Sequence, residues 1–379
     1  MDLAAQWVSR MLAAPQGAAA RAYLERRGLP AADLARFGLG YAPGGRTGLK
    51  DYLVAKGARP AELVEAGLLI APEDGGAPYD RFRDRIMFPI VEGRGRILSF
   101  GGRGMDPEAR AQYLNGPETE RLPKGRTLYG LPEARRLLAA APPDAAPPLV
   151  VVEGYMDVIA CQRAGIAAVA PLGTALTEEQ MELLWRRHPE PTLCFDGDRA
   201  GRQAAFRAMD RALPLLTPGR SFRFSVVEGG KDPDDVLREQ GAAALRSQLV
   251  RTTGFSEMLF RRELEAEPLD TPERRAGLKA RLRAAASRIA DRDLQSAYRD
   301  DLLARFEAAL PSRPPPRQGG DYPRRGRGSG RDWIDPAPTP LGRTAARRLA
   351  EGLDLAASAL MKHVLADPAW LDDCLESPF

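Results

Sequence analysis

Four apolar runs in the middle of the chain lack the alternation of a half-buried strand. Uninterrupted runs of this kind are typical of parallel strands covered on both faces. A capping-box signature begins at Thr177, and residues 200–216 show apolar positions at helical spacing. The pattern predicts a mostly parallel sheet flanked by helices, with strands at residues 149–152, 167–171, 191–195 and 222–227.

The segments on either side of this sheet follow other patterns. Residues 1–70 predict short helices with strand-like chain between them, and residues 78–103 alternate basic and apolar positions into a hairpin. Apolar stripes at helical spacing occupy residues 243–310, where Thr271 before Pro272 is typical of a helix start. We therefore expect an N-terminal α+β lobe (1–148), an α/β domain (149–240) and a helical subdomain (241–310).

Composition changes after residue 310. Residues 311–340 contain 13 proline or glycine residues in 30, with a basic, low-complexity stretch. This predicts a disordered linker, because too few apolar groups are available to offset the entropy of ordering. Residues 341–379 then return to helical spacing of apolar positions.

The net charge of +4 is unevenly distributed. Residues 1–148 hold 21 basic and 17 acidic residues (+4), whereas residues 149–310 hold 24 and 25 (−1). The segment 81–126 alone has ten basic and six acidic residues, which equals the whole excess of the N-terminal lobe. Such a basic alternation fits a solvated sheet edge as well as a nucleic-acid surface.

Several classes of protein are not expected from the composition. No run of eighteen apolar residues is present, so no membrane span is expected. The amino terminus lacks the basic and apolar regions of a signal peptide. Three cysteines and two histidines have no zinc-ligand spacing, so no zinc site is expected and a reducing cytoplasm fits.

Carboxylates follow three of the four predicted strands: Glu153, then Asp196 and Asp198, then Asp232 and Asp234. One such loop alone is typical of a turn. The carboxyl ends of parallel strands meet at one edge, so these side chains should converge. Two charges 4 Å apart repel by roughly 4 kcal/mol at an effective dielectric of 20. Protons or a cation must relieve this repulsion, and oxygen-only ligands favour Mg²⁺.

The residues around these carboxylates are specific. Residues 153–157 read EGYMD, 173–176 read GTAL and 196–201 read DGDRAG. Together with the acidic loop at 232–234, they resemble the Toprim metal site and, in detail, the bacterial DnaG-type replicative primases. The resemblance extends from about Arg21 to about Leu310. It implies a Toprim fold, a Rossmann-like parallel sheet, for residues 149–240.

For function, the resemblance implies a DNA-directed RNA polymerase of the primase type. Such an enzyme makes short RNA primers from ribonucleoside triphosphates on single-stranded DNA during replication, with Mg²⁺ or Mn²⁺, two or more ions, as cofactor. The resemblance also implies a monomeric, cytoplasmic protein that takes part in the primosome. Two alternatives use the same motifs: a Toprim nuclease that hydrolyses phosphodiesters, and a DNA-binding or helicase-binding scaffold without activity.

The resemblance assigns roles residue by residue. The catalytic set is Glu153, Asp196 and Asp198. The metal-binding set adds three further carboxylates: Asp157, Asp232 and Asp234. The implied contacts to nucleic acid or nucleotide are basic or amide side chains: Arg36, Arg81, Arg83, Arg103, Asn115, Lys124, Arg199, Arg202 and Lys231. Arg202 fits a solvated helix face equally well.

The chain departs from the family pattern in two respects. The family has a lysine immediately before Tyr-Leu-Asn, whereas this chain has Gln112, so the basic contact is absent or comes from Arg110. The family's zinc-binding domain has no counterpart, and residues 341–379 match only the start of its helicase-binding domain. We therefore expect a catalytic core that does not bind the replicative helicase stably.

Overall fold

The computed structural model of this chain describes residues 1–106, 111–142, 147–173, 175–227 and 232–310. These residues belong to one compact unit that spans positions 1–312. The predicted linker at 311–340 and the predicted tail at 341–379 lie outside the described residues. Within the described ranges, every helix is too short or too polar to cross a membrane.

The N-terminal part combines short helices with an antiparallel sheet. Its helices are α1 (Asp2–Ala13), α2 (Ala18–Arg26), α3 (Ala31–Arg36), α4 (Gly48–Ala55) and α5 (Pro60–Glu65). Its strands are β1 (Gly40–Ala42), β2 (Leu69–Ile70), β3 (Tyr79–Asp80), β4 (Arg85–Val91), β5 (Ile97–Gly104) and β6 (Tyr113–Asn115). The sheet order is β1-β4-β5-β6, and β4 and β5 form the predicted hairpin. Strands β2 and β3 pair separately.

A second sheet forms the centre of the molecule, with strand order β12-β11-β10-β8-β9-β7. Its strands are β7 (Leu128–Tyr129), β8 (Leu149–Val151), β9 (Ala167–Pro171), β10 (Thr192–Phe195), β11 (Arg223–Val226) and β12 (Thr253–Gly254). The helices among them are α6 (Leu131–Ala140), α7 (Tyr155–Arg163), α8 (Glu178–Trp185), α9 (Arg199–Ala212) and α10 (Pro233–Val250). The four inner strands are parallel, which confirms the predicted α/β sheet.

The apolar runs form strands here because helices cover both faces of the sheet. All three residues of β8 are buried, and the helix that follows it, α7, is buried from Tyr155 to Gln162. Helix α7 packs against both β9 and α10. A helix enclosed in this way has no solvent face, so amphipathic periodicity is weak in its sequence.

The two outer strands of this sheet, β7 and β12, come from segments that the sequence assigned to the neighbouring domains. Both are two residues long and antiparallel to their partners, β9 and β11. Such short strands leave no period-two signal, so only pairing with an existing sheet edge defines them. The prediction of helices alone for residues 243–310 therefore missed β12. The domain boundaries themselves stay predictions.

The remaining helices form the expected helical bundle: α11 (Phe255–Glu265), α12 (Pro272–Ser287) and α13 (Arg292–Ala309). Leu278, Leu282 and Ala286 are buried along one side of α12. The Thr271 hydroxyl accepts a hydrogen bond from the backbone N–H of Arg274 at 3.3 Å, as the helix-start signal predicts.

Aromatic packing joins the two sheets. Tyr155, the first residue of α7, stacks on Phe88 of β4 with ring centroids 5.2 Å apart, and meets Tyr129 of β7 edge-on at 4.5 Å. Its hydroxyl donates to the Asn115 side-chain carbonyl on β6. Strand β5 admits this ring because residue 101 is glycine: a Cβ there would lie 2.4 Å from a Tyr155 ring carbon.

We predict that Gly101→Ala lowers the free energy of unfolding by about 1–3 kcal/mol, because overpacking must displace a ring held on several sides. Gly45→Ala is the matched control, since a Cβ at Gly45 meets nothing within 4 Å and the residue has no positive φ. Urea denaturation of both variants measures the difference. Equal midpoints for Gly101→Ala and wild type would show that the ring is not tightly confined.

Candidate active site

The candidate site lies where the central sheet reverses its strand order. The chain passes from β8 through α7 to β9 on one side, and the next strand, β10, lies on the other side of β8. A crevice opens at the carboxyl ends of two such strands, and α/β sheets bind ligands there. Glu153 follows β8 and Asp196 follows β10 directly, so the two flank this crevice as predicted.

Helices α7, α9 and α10 all begin at this edge of the sheet, and a carboxylate caps the start of each. A helix N-terminus has unpaired N–H groups and a partial positive charge, which stabilise a carboxylate placed there. The three capping bonds run from Gly154 N to Asp157 Oδ2 (3.0 Å), from Gly201 N to Asp198 Oδ1 (2.7 Å) and from Asp235 N to Asp232 Oδ1 (2.7 Å).

The carboxylates are close enough to perturb one another. Burial, followed by the charges of Asp232 and Asp196, raises the pKa of Asp157 to about 8. Burial and the charge of Glu153 raise the pKa of Asp196 to about 7. The pKa of Glu153 is also raised, mainly by burial, although the backbone N–H of Asp196 opposes the shift. The predicted crowding is therefore present, and it involves residues from three separate loops.

These carboxylates face a single cavity of about 630 Å³. Four of them contribute to its wall: Glu153, Asp157, Asp196 and Asp232. The opposite wall comes from strands β5 and β6 and the residue before β6: Arg103, Gln112, Tyr113 and Asn115. The acidic edge of the sheet thus faces the lobe for which nucleic-acid contacts were predicted. We call this space the acidic cavity.

Arg103 is a buried cation at the wall of the acidic cavity. It is 7% exposed, and its Nε has no hydrogen-bond partner among the described residues. Its guanidinium lies 5.2 Å from the Tyr113 ring centroid and 5.8 Å from that of Tyr23. Aromatic faces hold such a cation in place without neutralising it. Arg103 can therefore pair with an anionic group that enters the cavity.

A second acidic group forms at the first turn of α10. One carboxylate oxygen from each of Asp232, Asp234 and Asp235 lies within 4.8 Å of the others. Burial raises the pKa of Asp234, and Arg27 opposes that shift, because its Nη1 lies 3.0 Å from Asp234 Oδ2. Asp235 and Arg27 were not among the predicted site residues. Asp235 continues the acidic loop, whereas no local signal marks Arg27.

The donor set fits a hard divalent cation. Every candidate ligand is a carboxylate oxygen, the type that Mg²⁺ and Mn²⁺ prefer. The raised pKa values of Asp157 and Asp196 show that a positive charge placed among these groups would relieve their repulsion. Asp198 caps α9 and does not line the acidic cavity, so its predicted role as a ligand stays a prediction.

The remaining predicted contacts do not all meet at the acidic cavity. Asn115 lines it and donates to the Leu172 carbonyl at 2.6 Å. The other predicted residues of the N-terminal part lie elsewhere in the structure: Arg81 donates to the Gly67 carbonyl (2.9 Å), Arg83 lies over the Tyr79 ring (5.2 Å), Arg36 pairs with Glu133, and Lys124 lies in the 3-10 turn Lys124–Arg126.

Helix α9 presents different arginines to the cavity than the sequence suggested. Arg199 and Arg202 are exposed and do not line it, whereas Arg207 and Arg211 do. The latter two share a face with Ala204, which is partly buried, and Ala208, which is buried. Helical spacing from these alanines was therefore the available signal. Lys231 and Arg110 lie outside the described residues.

The raised pKa values predict how stability depends on pH. The folded chain binds more protons than the unfolded chain between the unfolded pKa of about 4 and the folded values of about 7 and 8 for Asp196 and Asp157. With EDTA present, the melting temperature should therefore fall as pH rises from 5 to 8. Asp196→Asn should flatten this fall and remove most of the stabilisation that Mg²⁺ gives at pH 8.

Asp300→Asn is the control for the melting series, because Asp300 is 71% exposed on α13 and only loosely paired with Arg299. Its profile should parallel that of wild type. An Asp196→Asn profile with the wild-type slope and the wild-type response to Mg²⁺ would place the titrating groups and the cation elsewhere.

Comparison with known proteins supports the resemblance to DnaG-type primases that the sequence motifs indicated. Residues 7–135 match the family described as the DNA primase catalytic core, N-terminal domain, and residues 150–237 match the Toprim-like family. The DNA primase of Escherichia coli (strain K12) is 40% identical over 305 residues, which cover 80% of this chain and 51% of that protein. The chain thus spans about half the length of the curated relatives it matches.

Solved structures extend the match to three dimensions. A DnaG primase catalytic domain bound to single-stranded DNA superposes with a TM-score of 0.70 at 39% identity, covering 81% of this chain and 94% of that one. The RNA polymerase domain of Mycobacterium tuberculosis primase DnaG gives 0.68 at 33% identity, covering 79% and 96%. The predicted fold class and resemblance are confirmed: this chain belongs to the DnaG primase family.

Proposed function

We propose that this chain is a primase catalytic core, which joins ribonucleotides into short RNA primers on a single-stranded DNA template. The main support for this proposal is the composition of the acidic cavity. Carboxylates at the carboxyl edge of the parallel sheet face a wall with an unpaired arginine, aromatic rings and amides. A relative with this fold is described as bound to single-stranded DNA, and another as an RNA polymerase domain.

The carboxylates form two groups, each of which would hold cations at a different position in the site. Glu153 and Asp196, with Asp198 beside them, would hold a cation next to the reacting 3′-hydroxyl. Asp157 and the α10 group, Asp232 and Asp234 with Asp235, would hold cations near the triphosphate. Bound Mg²⁺ or Mn²⁺ neutralises charge on the attacking and leaving oxygens.

The basic wall would position the nucleic acid and the nucleotide. Arg103 has a free guanidinium edge at the cavity and would pair with a phosphate, which relieves its unpaired burial. Further from the cavity, Arg83 and Tyr79 offer a cation and a ring on which bases of a single strand can stack. The remaining predicted contacts would extend the phosphate path: Arg36, Arg81, Lys124, Arg199, Arg202 and Lys231.

Nuclease activity is the alternative with the same carboxylates. Hydrolysis of a phosphodiester needs a cation and an acidic edge, but it does not need a bound nucleoside triphosphate. The relatives that match across most of this chain are primases, which favours synthesis.

Glu153 would either hold the cation next to the 3′-hydroxyl or accept the proton of that hydroxyl. We predict that Glu153→Gln reduces primer synthesis at least about a hundredfold, because glutamine cannot act as a base and removes the charge that would hold the cation. Template affinity should change little, because glutamine keeps the shape of the side chain. The assay supplies single-stranded template, labelled ribonucleotides and Mg²⁺, and follows the label into oligomers. Glu179→Gln, at an exposed position of α8, is the control.

Each outcome of the primer assay has a distinct meaning. Label in oligomers for wild type and for Glu179→Gln, but not for Glu153→Gln, supports the proposal. Cleavage of the template without incorporation would favour the nuclease. Undiminished synthesis by Glu153→Gln would remove Glu153 from the catalytic set.

Gln112 offers a second test, because it lines the acidic cavity where the family has lysine. Its backbone carbonyl accepts from Gly104 N at 2.8 Å and from Arg85 Nη1 at 3.2 Å, which fixes this residue at the end of β5. We predict that Gln112→Lys adds one phosphate contact to a bound single strand. The slope of log affinity against log salt should then steepen by about 0.7.

The salt titration needs a control for added charge. Gln240→Lys introduces the same charge at an exposed position of α10, outside the acidic cavity. Its slope should equal that of wild type. If the Gln112→Lys slope also equals wild type, Gln112 does not lie on the template path.

A further inference from the structure

A second cavity, of about 690 Å³, shares no lining residue with the acidic cavity. Its walls come from the tip of the β4–β5 hairpin, the loop at residues 120–127, and helices α6 and α8. None of the predicted catalytic, metal-binding or nucleic-acid-binding side chains lines it. We call it the arginine cavity.

The arginine cavity has a pronounced excess of positive charge. Five arginines and two glutamates line it, which leaves a formal excess of three positive charges. They are Arg96, Arg121, Arg126, Arg135 and Arg187, with Glu92 and Glu120. Like charges gathered around one concave surface repel, and an anion bound among them relieves that repulsion.

Most of these cations are available to a ligand. The side chains of Arg121, Arg126 and Arg187 form no hydrogen bond or ion pair with other described residues, and all three are exposed. Arg96 is paired with Glu92, and Arg135 donates only a long bond, 3.5 Å, to the Gly93 carbonyl. Free guanidinium groups are planar donors that match phosphate oxygens in pairs.

Four apolar side chains also line the arginine cavity, and we call them its apolar floor. Ile97 at the hairpin, Leu131 on α6 and Leu183 on α8 are partly buried, and Leu128 on β7 is buried. A surface of this kind accommodates a ring system, whereas a phosphate group alone gains nothing from it. The volume lies within the range of roughly 300–1,000 Å³ that is usual for small-molecule sites.

The walls of this cavity are held in position before any ligand binds. The Gln180 side chain donates to the carbonyls of Lys124 and Thr127 at 2.9 and 2.8 Å, and the Thr177 hydroxyl donates to the Gly125 carbonyl at 2.5 Å. These bonds fasten the loop that carries Arg126 to the start of α8. A preformed site loses less entropy on binding than one that must be ordered.

We propose that the arginine cavity binds a nucleoside di- or triphosphate at a site separate from the acidic cavity. The free guanidinium groups bind the phosphates, and the base lies on the apolar floor, where an arginine plane can stack on it. A nucleic-acid strand is the less suitable occupant, because its charged backbone would meet the leucines. This site does not depend on the activity proposed above.

The test measures binding of labelled GTP to the full chain by equilibrium dialysis. EDTA is present throughout, so that binding through cations in the acidic cavity is removed. Arg126→Ala and Arg187→Ala should each weaken binding about tenfold or more, because each removes a charge-assisted hydrogen bond. Tripolyphosphate should compete less well than GTP, because it has no group for the apolar floor.

Neighbouring residues provide matched controls. Arg186→Ala removes an arginine next to Arg187 that instead lies 3.5 Å from Glu182 and does not line the cavity. Arg94→Ala does the same at the hairpin tip. Both variants should bind GTP as wild type does. Arg103→Ala removes the cation that would bind a phosphate in the acidic cavity, and it should keep the GTP binding that the arginine cavity provides.

Three results would overturn the proposal. The first is wild-type affinity in both Arg126→Ala and Arg187→Ala. The second is loss of GTP binding in Arg103→Ala, which would place the nucleotide in the acidic cavity. The third is competition by tripolyphosphate or by a short RNA–DNA duplex as strong as that by GTP, since either would remove the role of the base on the apolar floor.

Discussion

Repulsion among carboxylates at the carboxyl edge of the parallel sheet is the constraint on which the rest of the structure depends. The pKa values of Asp157 and Asp196 are far above the usual value for an aspartate, because burial and neighbouring negative charges oppose ionisation. The fold offsets part of this cost by starting three helices at the same edge, and by placing Arg27 against Asp234. The uncompensated remainder is repulsion that a divalent cation placed among these carboxylates would relieve.

Contacts made by the first residue of α7, next to the acidic edge, also fix the position of the N-terminal lobe. Tyr155 begins the helix that carries Asp157, and its ring packs on Phe88 of the hairpin strand while its hydroxyl bonds to Asn115. One side chain therefore ties the acidic edge to the opposite wall of the cavity. Arg103 is fixed across the space by two tyrosine rings and has no anionic partner among the described residues. The two walls of the acidic cavity therefore carry opposite charges.

The sequence predicted what local pattern determines. Uninterrupted apolar runs predicted the parallel strands, and a carboxylate at a strand end predicted Glu153 and Asp196 at one crevice. Ion pairs between distant segments cannot be predicted from local sequence patterns. Arg27, for example, is 207 residues from Asp234, its ion-pair partner. Asp235 was missed for a different reason. Beyond the acidic loop, helices were predicted only from residue 243 onward, whereas α10 begins within that loop at Pro233 and so brings three carboxylates onto one turn.

Anomalous diffraction from crystals equilibrated with Mn²⁺ tests the proposed cation sites without relying on activity. We expect anomalous peaks within about 2.5 Å of carboxylate oxygens of Asp196 or of the α10 group, Asp232, Asp234 and Asp235. The peak beside Asp196 should be lost in Asp196→Asn. Well-ordered Mn²⁺ found only at other surface sites, with these carboxylates bonded to water alone, would show that this acidic edge does not bind the cation.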